Sequence, residues 1–341
     1  MKTEMLPIKK PKLAASRKNR VAKTTRNSRE IKNVLVPLDF STASHAALRF
    51  ALPLLKRFGA NLHLVHVLPP DSPLSGLADL PMVVPDVEIG RRVRRNMASV
   101  AEKHGGKLLP SDLHFRKGSP FAEICNLARE KDIDLVVIST RGNTGLKHLT
   151  LGSTAERVVR YSPCPVLAVR DPLQANKAER NGKTTTRRPQ TITRILVPID
   201  FSDCSLKSLA YAKQLAKEFN ATVILLHSVA LQYFITSDEY ARYDLPLLTQ
   251  QSEKIAQRQM RDLVRMTQRD GARVESSVQI GHAGQQIVAR AQAEHADLIV
   301  TSTHGYTGLK HVLMGSTAEY VVRHATCPVL VVPTRERPVI S

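Results

Sequence analysis

The chain is 341 residues long, 42% hydrophobic and only 4% aromatic, has no Trp, and carries a net charge of +20. Its length suits two domains of ~100–200 residues, and its apolar content is high enough to build cores, which excludes wholesale disorder. The few aromatics exclude a base-stacking nucleic-acid platform, and no apolar run reaches the ~18 residues of a transmembrane helix.

Residues 1–30 hold ten Lys or Arg against two Glu, a net +8, and predict a basic disordered tail. Such a tail either keeps the chain dissolved or touches nucleic acid and anionic membranes without specificity. It has no apolar stretch of the signal-peptide kind, so a cytoplasmic location is expected.

Asn33–Leu38 is a short run rich in Val and Leu, which reads as a buried strand. From Ser44 to Phe58, Ala47, Leu48, Ala51, Leu54, Leu55 and Phe58 recur at helical spacing. Ser41 or Thr42 can cap this helix, and Gly59 stands where a helix stops. Asn61–Leu68 predicts the second strand, 69–85 a Pro-rich loop, Val87–His104 a basic helix and Leu113–Arg116 a third strand. Gly118-Ser119-Pro120 then opens a helix, with Ser as cap and Pro at the first helical position. Asp134–Thr140 predicts a fourth buried strand, Ala155–Arg160 a helix and Val166–Val169 a fifth strand.

The stretch 171–192 is polar and basic and reads as a linker, after which the pattern repeats. NVLVPLDFSTAS at 33–44 answers RILVPIDFSDCS at 194–205, and STRGNTGLKHLTLGSTAE at 139–156 answers STHGYTGLKHVLMGSTAE at 302–319. The offset is 161 at Asp39/Asp200 and 163 at Gly142/Gly305, so a whole domain is duplicated, with bounds at 31–170 and 193–334. Strands alternating with helices predict an α/β fold: two tandem, doubly wound, parallel five-stranded sheets of Rossmann-like type.

Ligands of such sheets bind at the carboxyl ends of the strands. The glycine block lies there and leads into a helix, where bare backbone amides and a helix N-terminus favour an anion such as phosphate. Ser153 and Ser316 add hydroxyls beside it. Asp39 and Asp200 follow the first strand of each copy, where a carboxylate can accept hydrogen bonds from ribose or an adenine amine, or can cap the next helix. His66 and His227 occupy matching places in the second strand and read as satisfied core histidines rather than ligands. Cys125, Cys164, Cys204 and Cys327 form no CxxC pair and no zinc spacing, so reduced structural thiols and no metal site are expected.

The blocks VPLDFS and VPIDFS, TGLKHxxxGSTAE and CPVL, in this order and twice over, resemble the universal stress protein family. That resemblance implies an adenine-nucleotide-hydrolase-like fold and ATP binding, with or without magnesium, by a regulatory stress-response module. It places Gly142, Gly152, Ser153, Gly305, Gly315 and Ser316 on the phosphates, Asp39 and Asp200 on adenosine, and the backbone of Val67 and Ser228 on the base. The family pattern reads Gly, two residues, Gly, nine residues, Gly, Ser or Thr. Its first glycine falls on Ser139 and Ser302, so both copies depart there.

No Walker-type GxxxxGK[ST], HxGH block or Ser/His/Asp order is present, so no enzyme is expected. A nucleotide-independent scaffold of the same fold is the alternative. The family also pairs through its last strands, so Val166–Val169 is expected to meet Val329–Val332 inside this one chain about a pseudo-two-fold axis, with homo-oligomers as a further form of assembly. No membrane insertion is expected.

Overall fold

Short runs of Val, Leu and Ile, buried on both sides, are the strands of a parallel sheet with helices on each face. The computed structural model describes residues 30–70, 86–105, 112–140, 151–170, 192–230, 245–304 and 314–334. The first copy runs β1 (Asn33–Pro37), α1 (Thr42–Phe58), β2 (Asn61–Leu68), α2 (Asp86–Lys103), β3 (Leu113–Lys117), α3 (Pro120–Glu130), β4 (Leu135–Ser139), α4 (Ser153–Tyr161) and β5 (Val166–Val169). The second runs β6 (Arg194–Pro198), α5 (Asp203–Phe219), β7 (Thr222–Val229), α6 (Leu245–Arg269), β8 (Arg273–Ile280), α7 (Ala283–Ala293), β9 (Leu298–Ser302), α8 (Ser316–His324) and β10 (Val329–Val332). The predicted tail and linker fall, apart from Glu30 and Ile192, outside the described residues.

Local chemistry sets the helix ends. The Ser41 hydroxyl accepts the Ser44 N–H at 3.1 Å and caps α1, and Gly59 closes it at φ 64°. Asn220, the non-glycine residue that best tolerates the left-handed region, does the same for α5 at φ 53°. Ser119 stands at the start of α3 as expected, but its side chain makes no capping bond, and Pro120 opens the helix.

The two expected five-stranded sheets are halves of one ten-stranded sheet in the order β3-β2-β1-β4-β5-β10-β9-β6-β7-β8. Every pairing is parallel except that of β5 with β10, where Leu167 faces Leu330 and the pseudo-two-fold axis passes. Side chains alternate across these two strands. Leu167, Val169, Leu330 and Val332 enter a core under α1, α2, α5 and α6, whereas Val166, Ala168, Val329 and Val331 enter a second core under α3, α4, α7 and α8. Both cores therefore run through both copies. Phe58 and Phe219 meet edge-on at 5.9 Å between α1 and α5, and Arg323 of α8 reaches Glu156 of α4 at 4.0 Å.

None of the four cysteines forms a disulfide, and burial pushes the Cys125 thiol up to about 11. Among the described residues no helix is long and apolar enough to cross a membrane.

The copies fill one helix–helix contact in opposite ways. In the first, Phe121 of α3 carries the ring and Arg157 of α4 lies over it at 3.8 Å. In the second, Gly284 of α7 makes room for Tyr320 of α8, and a Cβ at Gly284 would stand 2.7 Å from Tyr320 Cδ1 and 3.0 Å from its Cβ. Alanine is normally better than glycine inside a helix by about 1 kcal/mol. Here the overlap reverses the sign, so Gly284→Ala should cost about 1–3 kcal/mol. In a Tyr320→Ala background the same change should become stabilising, a reversal that urea denaturation of the four proteins of the cycle would reveal.

Candidate functional site

In each copy the strand order reverses between β1 and β4, or β6 and β9, and the crevice for a ligand opens at their carboxyl ends. Because β5 and β10 are antiparallel, the two crevices open on opposite edges of the sheet.

The turn after β1 is built from its side chains. The Leu38 N–H donates to the Val65 carbonyl at 2.8 Å, extending the ladder one residue past the strand. The Leu38 carbonyl accepts from Nδ1–H of His66 at 2.7 Å, which fixes the imidazole tautomer. Phe40 turns back at φ 60°, a sparsely populated conformation for a bulky residue, and its ring lies 4.9 Å from that of His66. Asp39 then accepts the Ser41 N–H on Oδ1 at 3.0 Å, a turn characteristic of aspartate.

The second copy reproduces each step. The Ile199 N–H donates to Leu226 at 2.8 Å, His227 donates to the Ile199 carbonyl at 2.7 Å, and Phe201 sits at φ 62°. Oδ1 of Asp200 accepts both the N–H and the hydroxyl of Ser202, at 3.0 and 2.5 Å. The helix caps are thus Ser41 and Ser202, and the aspartates sit two residues earlier, organising the turn that presents them. His66 and His227 are half-buried positioning residues, each satisfied by a carbonyl rather than enclosed in a core. The left-handed Phe40 and Phe201 were not foreseen, and no sequence rule marks a phenylalanine for that conformation.

The loop between β4 and α4 leaves and returns at one point. Thr140 donates to the Val169 carbonyl at 3.0 Å, and its own carbonyl accepts the Gly152 N–H at 2.8 Å. Thr303 and Gly315 repeat this at 3.1 and 2.8 Å, with Leu151 and Met314 buried beside the return. Gly152 and Gly315 are the N-caps of α4 and α8 and offer no side-chain bond to the first turn. Their φ values of −62° and −61° do not require glycine. At Gly315 an added Cβ would meet nothing nearer than the Thr303 carbonyl at 3.4 Å, an ordinary contact. Ser153 and Ser316 are exposed in the first turn, beside the amides that the caps leave bare.

The structure therefore gathers Asp39, Val67, Gly152 and Ser153 at one sheet edge, and Asp200, Ser228, Gly315 and Ser316 at the other. Val67 is half-buried, one residue before the end of β2. Ser228, its counterpart, donates its hydroxyl to the Gly281 carbonyl at 2.8 Å. Gly142 and Gly305 lie outside the described residues. Ser302, one of the two departures from the glycine pattern, donates its hydroxyl to the His304 carbonyl at 2.6 Å. The second copy also has a cluster the sequence did not signal. Thr334 shares a hydrogen bond with Thr303 at 2.9 Å, lies 3.1 Å from Nδ1 of His304 and accepts from the Cys204 thiol at 3.9 Å.

A model of the universal stress protein family matches residues 30–170 and 191–333, which is most of the chain. Universal stress protein MJ0531 of Methanocaldococcus jannaschii is 32% identical over 157 residues, covering 46% of this chain and 88% of its own length. Universal stress protein YxiE of Bacillus subtilis is 35% identical over 145 residues, covering 40% of this chain and 97% of its own. Each of these relatives thus corresponds to about one copy. A solved universal stress protein from Archaeoglobus fulgidus covers 89% of this chain and 97% of its own, with a TM-score of 0.58 at 22% identity, a likeness of fold across both copies.

The caps offer a direct check on the local architecture. Ser41→Ala and Ser202→Ala each remove a bond to the first turn of a helix and should each cost about 1 kcal/mol. The cost would be read as a lower urea midpoint with an unchanged slope. A null effect in both would show that the aspartate turn alone holds α1 and α5.

Proposed function

The chain belongs to the universal stress protein family, and from that premise we propose that each copy holds an adenine nucleotide, ATP with or without magnesium, as a regulatory module rather than as an enzyme. The observation that carries this reading is a pair of helix N-termini begun by glycines that the backbone does not need. Gly315 has an ordinary helical-cap φ, and a Cβ there would make only ordinary contacts, the nearest at 3.4 Å from the Thr303 carbonyl. What glycine leaves there is room for another group to approach bare amides that carry partial positive charge. Phosphate fits that environment, with the hydroxyls of Ser153 and Ser316 as further donors. Magnesium would arrive bound to those phosphates.

Asp39 and Asp200, presented at the same edge by their turns, are the acceptors for ribose hydroxyls or the adenine amine. The backbone near Val67 and Ser228 is the contact for the base. Among the described residues each crevice presents one such carboxylate, where acid–base turnover commonly uses a pair, which supports binding without dedicated turnover. A nucleotide-independent scaffold is favoured by one observation in the second copy, the use of the Ser302 hydroxyl within its own loop.

Calorimetric titration of ATP into the intact chain separates the readings. We expect micromolar binding, with one site lost in Gly152→Val and the other in Gly315→Val. Asp39→Asn and Asp200→Asn keep an oxygen to accept the Ser41 or Ser202 N–H, so their stability should barely change. Loss of the charge should nevertheless weaken the site about tenfold. No binding by a folded sample would leave the scaffold, and sustained turnover with magnesium would overturn the non-enzymatic part.

A further inference from the structure

The outer strand of the first copy, β3, shares with its neighbour β2 a histidine pair that the nucleotide reading does not use. β3 has only β2 as a strand neighbour, and in their register His114 lies beside Val65. His63 and Val65 share a face, so His63 and His114 meet on the side of the sheet covered by α3. Nε2 of His114 is 3.4 Å from Nδ1 of His63, and the rings are 5.6 Å apart and tilted by 30°. Oδ1 of Asp112 lies 3.8 Å from the same Nδ1. The other charged groups acting on the pair are cationic: Lys131 at the end of α3, and Arg116 further along β3, itself paired with Glu130. Among the described residues no three such groups are arranged to hold a metal ion.

Burial, then the neighbouring His63, Lys131 and Arg116, pushes His114 down to about 4 against a smaller upward pull from Asp112. Burial likewise lowers His63, opposed by Asp112. Near neutral pH both rings are uncharged and one can donate to the other. Opened, each ring returns to an ordinary value of about 6.5. The open strand then binds protons that the closed strand does not, so closure is at full strength above that value and weakens as pH falls toward 4. With both rings charged, two imidazolium ions would stand 3.4 Å apart next to Lys131, with one carboxylate to offset them. By register, the second copy has Ile224, Glu275 and Ser277 at these places and no such pair.

We propose that His63 and His114 form an acid-operated latch on the first copy alone, which closes β3 onto β2 when neutral and releases it when both rings are charged. Release also reaches the crevice. Phe115 of β3 lies flat along His66 at 6.4 Å and 8°, and His66 holds the Leu38 carbonyl in front of Asp39. That last link rests on the nucleotide reading, whereas the latch does not.

Hydrogen exchange of the full chain, read by mass spectrometry without nucleotide and corrected for the intrinsic pH dependence of exchange, tests the latch. Between neutral pH and a pH of about 4.5, Leu113–Lys117 should lose protection at least tenfold while Arg273–Ile280 keeps its own. The double variant His63→Ile with His114→Ser, which installs the second copy's residues, should remove the difference. If that protein does not fold, His114→Gln, which cannot charge, should at least halve it. Retained protection of β3 at low pH, equal loss in both copies, or the same loss in the variants would each overturn the latch. Since no nucleotide is present, these failures leave the ATP reading untouched, and failed ATP binding leaves the latch untouched.

Discussion

The antiparallel meeting of β5 and β10 is the contact on which the architecture depends. A five-stranded sheet ending on β5 would expose a row of unpaired backbone groups lined by Val and Leu, a surface prone to aggregation. Pairing the two last strands satisfies those groups within one chain. It also merges the interiors of the copies, since Leu167 and Leu330 enter one core while Val166 and Val329 enter the other. Neither copy therefore has a complete boundary of its own along this line. The same contact reverses the strand direction and sends the two crevices to opposite edges of the sheet, so any communication between them must cross the shared cores.

At each crevice, a strained turn is held in place by groups that have no chemical task of their own. Left-handed phenylalanines at Phe40 and Phe201 cost on the order of 1–3 kcal/mol each and persist only where their surroundings over-determine them. The surroundings here are a histidine bonded to the preceding carbonyl, a ring packed on that histidine, and an aspartate closing the next turn. Together they fix where Asp39 and Asp200 stand. The opposing wall is a helix N-terminus begun by glycine, at which bare amides are left for whatever approaches.

Within this common frame the copies have diverged where the frame is tolerant. Bulk has moved from Phe121 on α3 to Tyr320 on α8, keeping the contact filled. The outer strands differ in chemistry, with titratable rings at His63 and His114 against Ile224 and Ser277. The second crevice carries the Thr303, His304, Thr334 and Cys204 cluster. Duplication has preserved the backbone and allowed each copy its own electrostatics.

The sequence by itself determined the duplication, the alternation of strand and helix, and most element bounds. Asn61–Leu68 and Val166–Val169 stand as read, because continuous apolar runs report burial on both faces and that is a local property. Ser41 as cap and Gly59 as stop were equally legible, being set within one turn of chain. Asp39 and Asp200 were located but left between two roles, and only the fold showed that their carboxylates close the turn before the cap. The meeting of the last strands followed from the family resemblance, whereas tertiary structure alone decided that His63 meets His114 across 51 residues and that Gly284 admits Tyr320. The reason is that parallel strands are joined by long crossovers, with no hairpin turn to encode their register. Which side chains face each other is settled only when the whole sheet has formed.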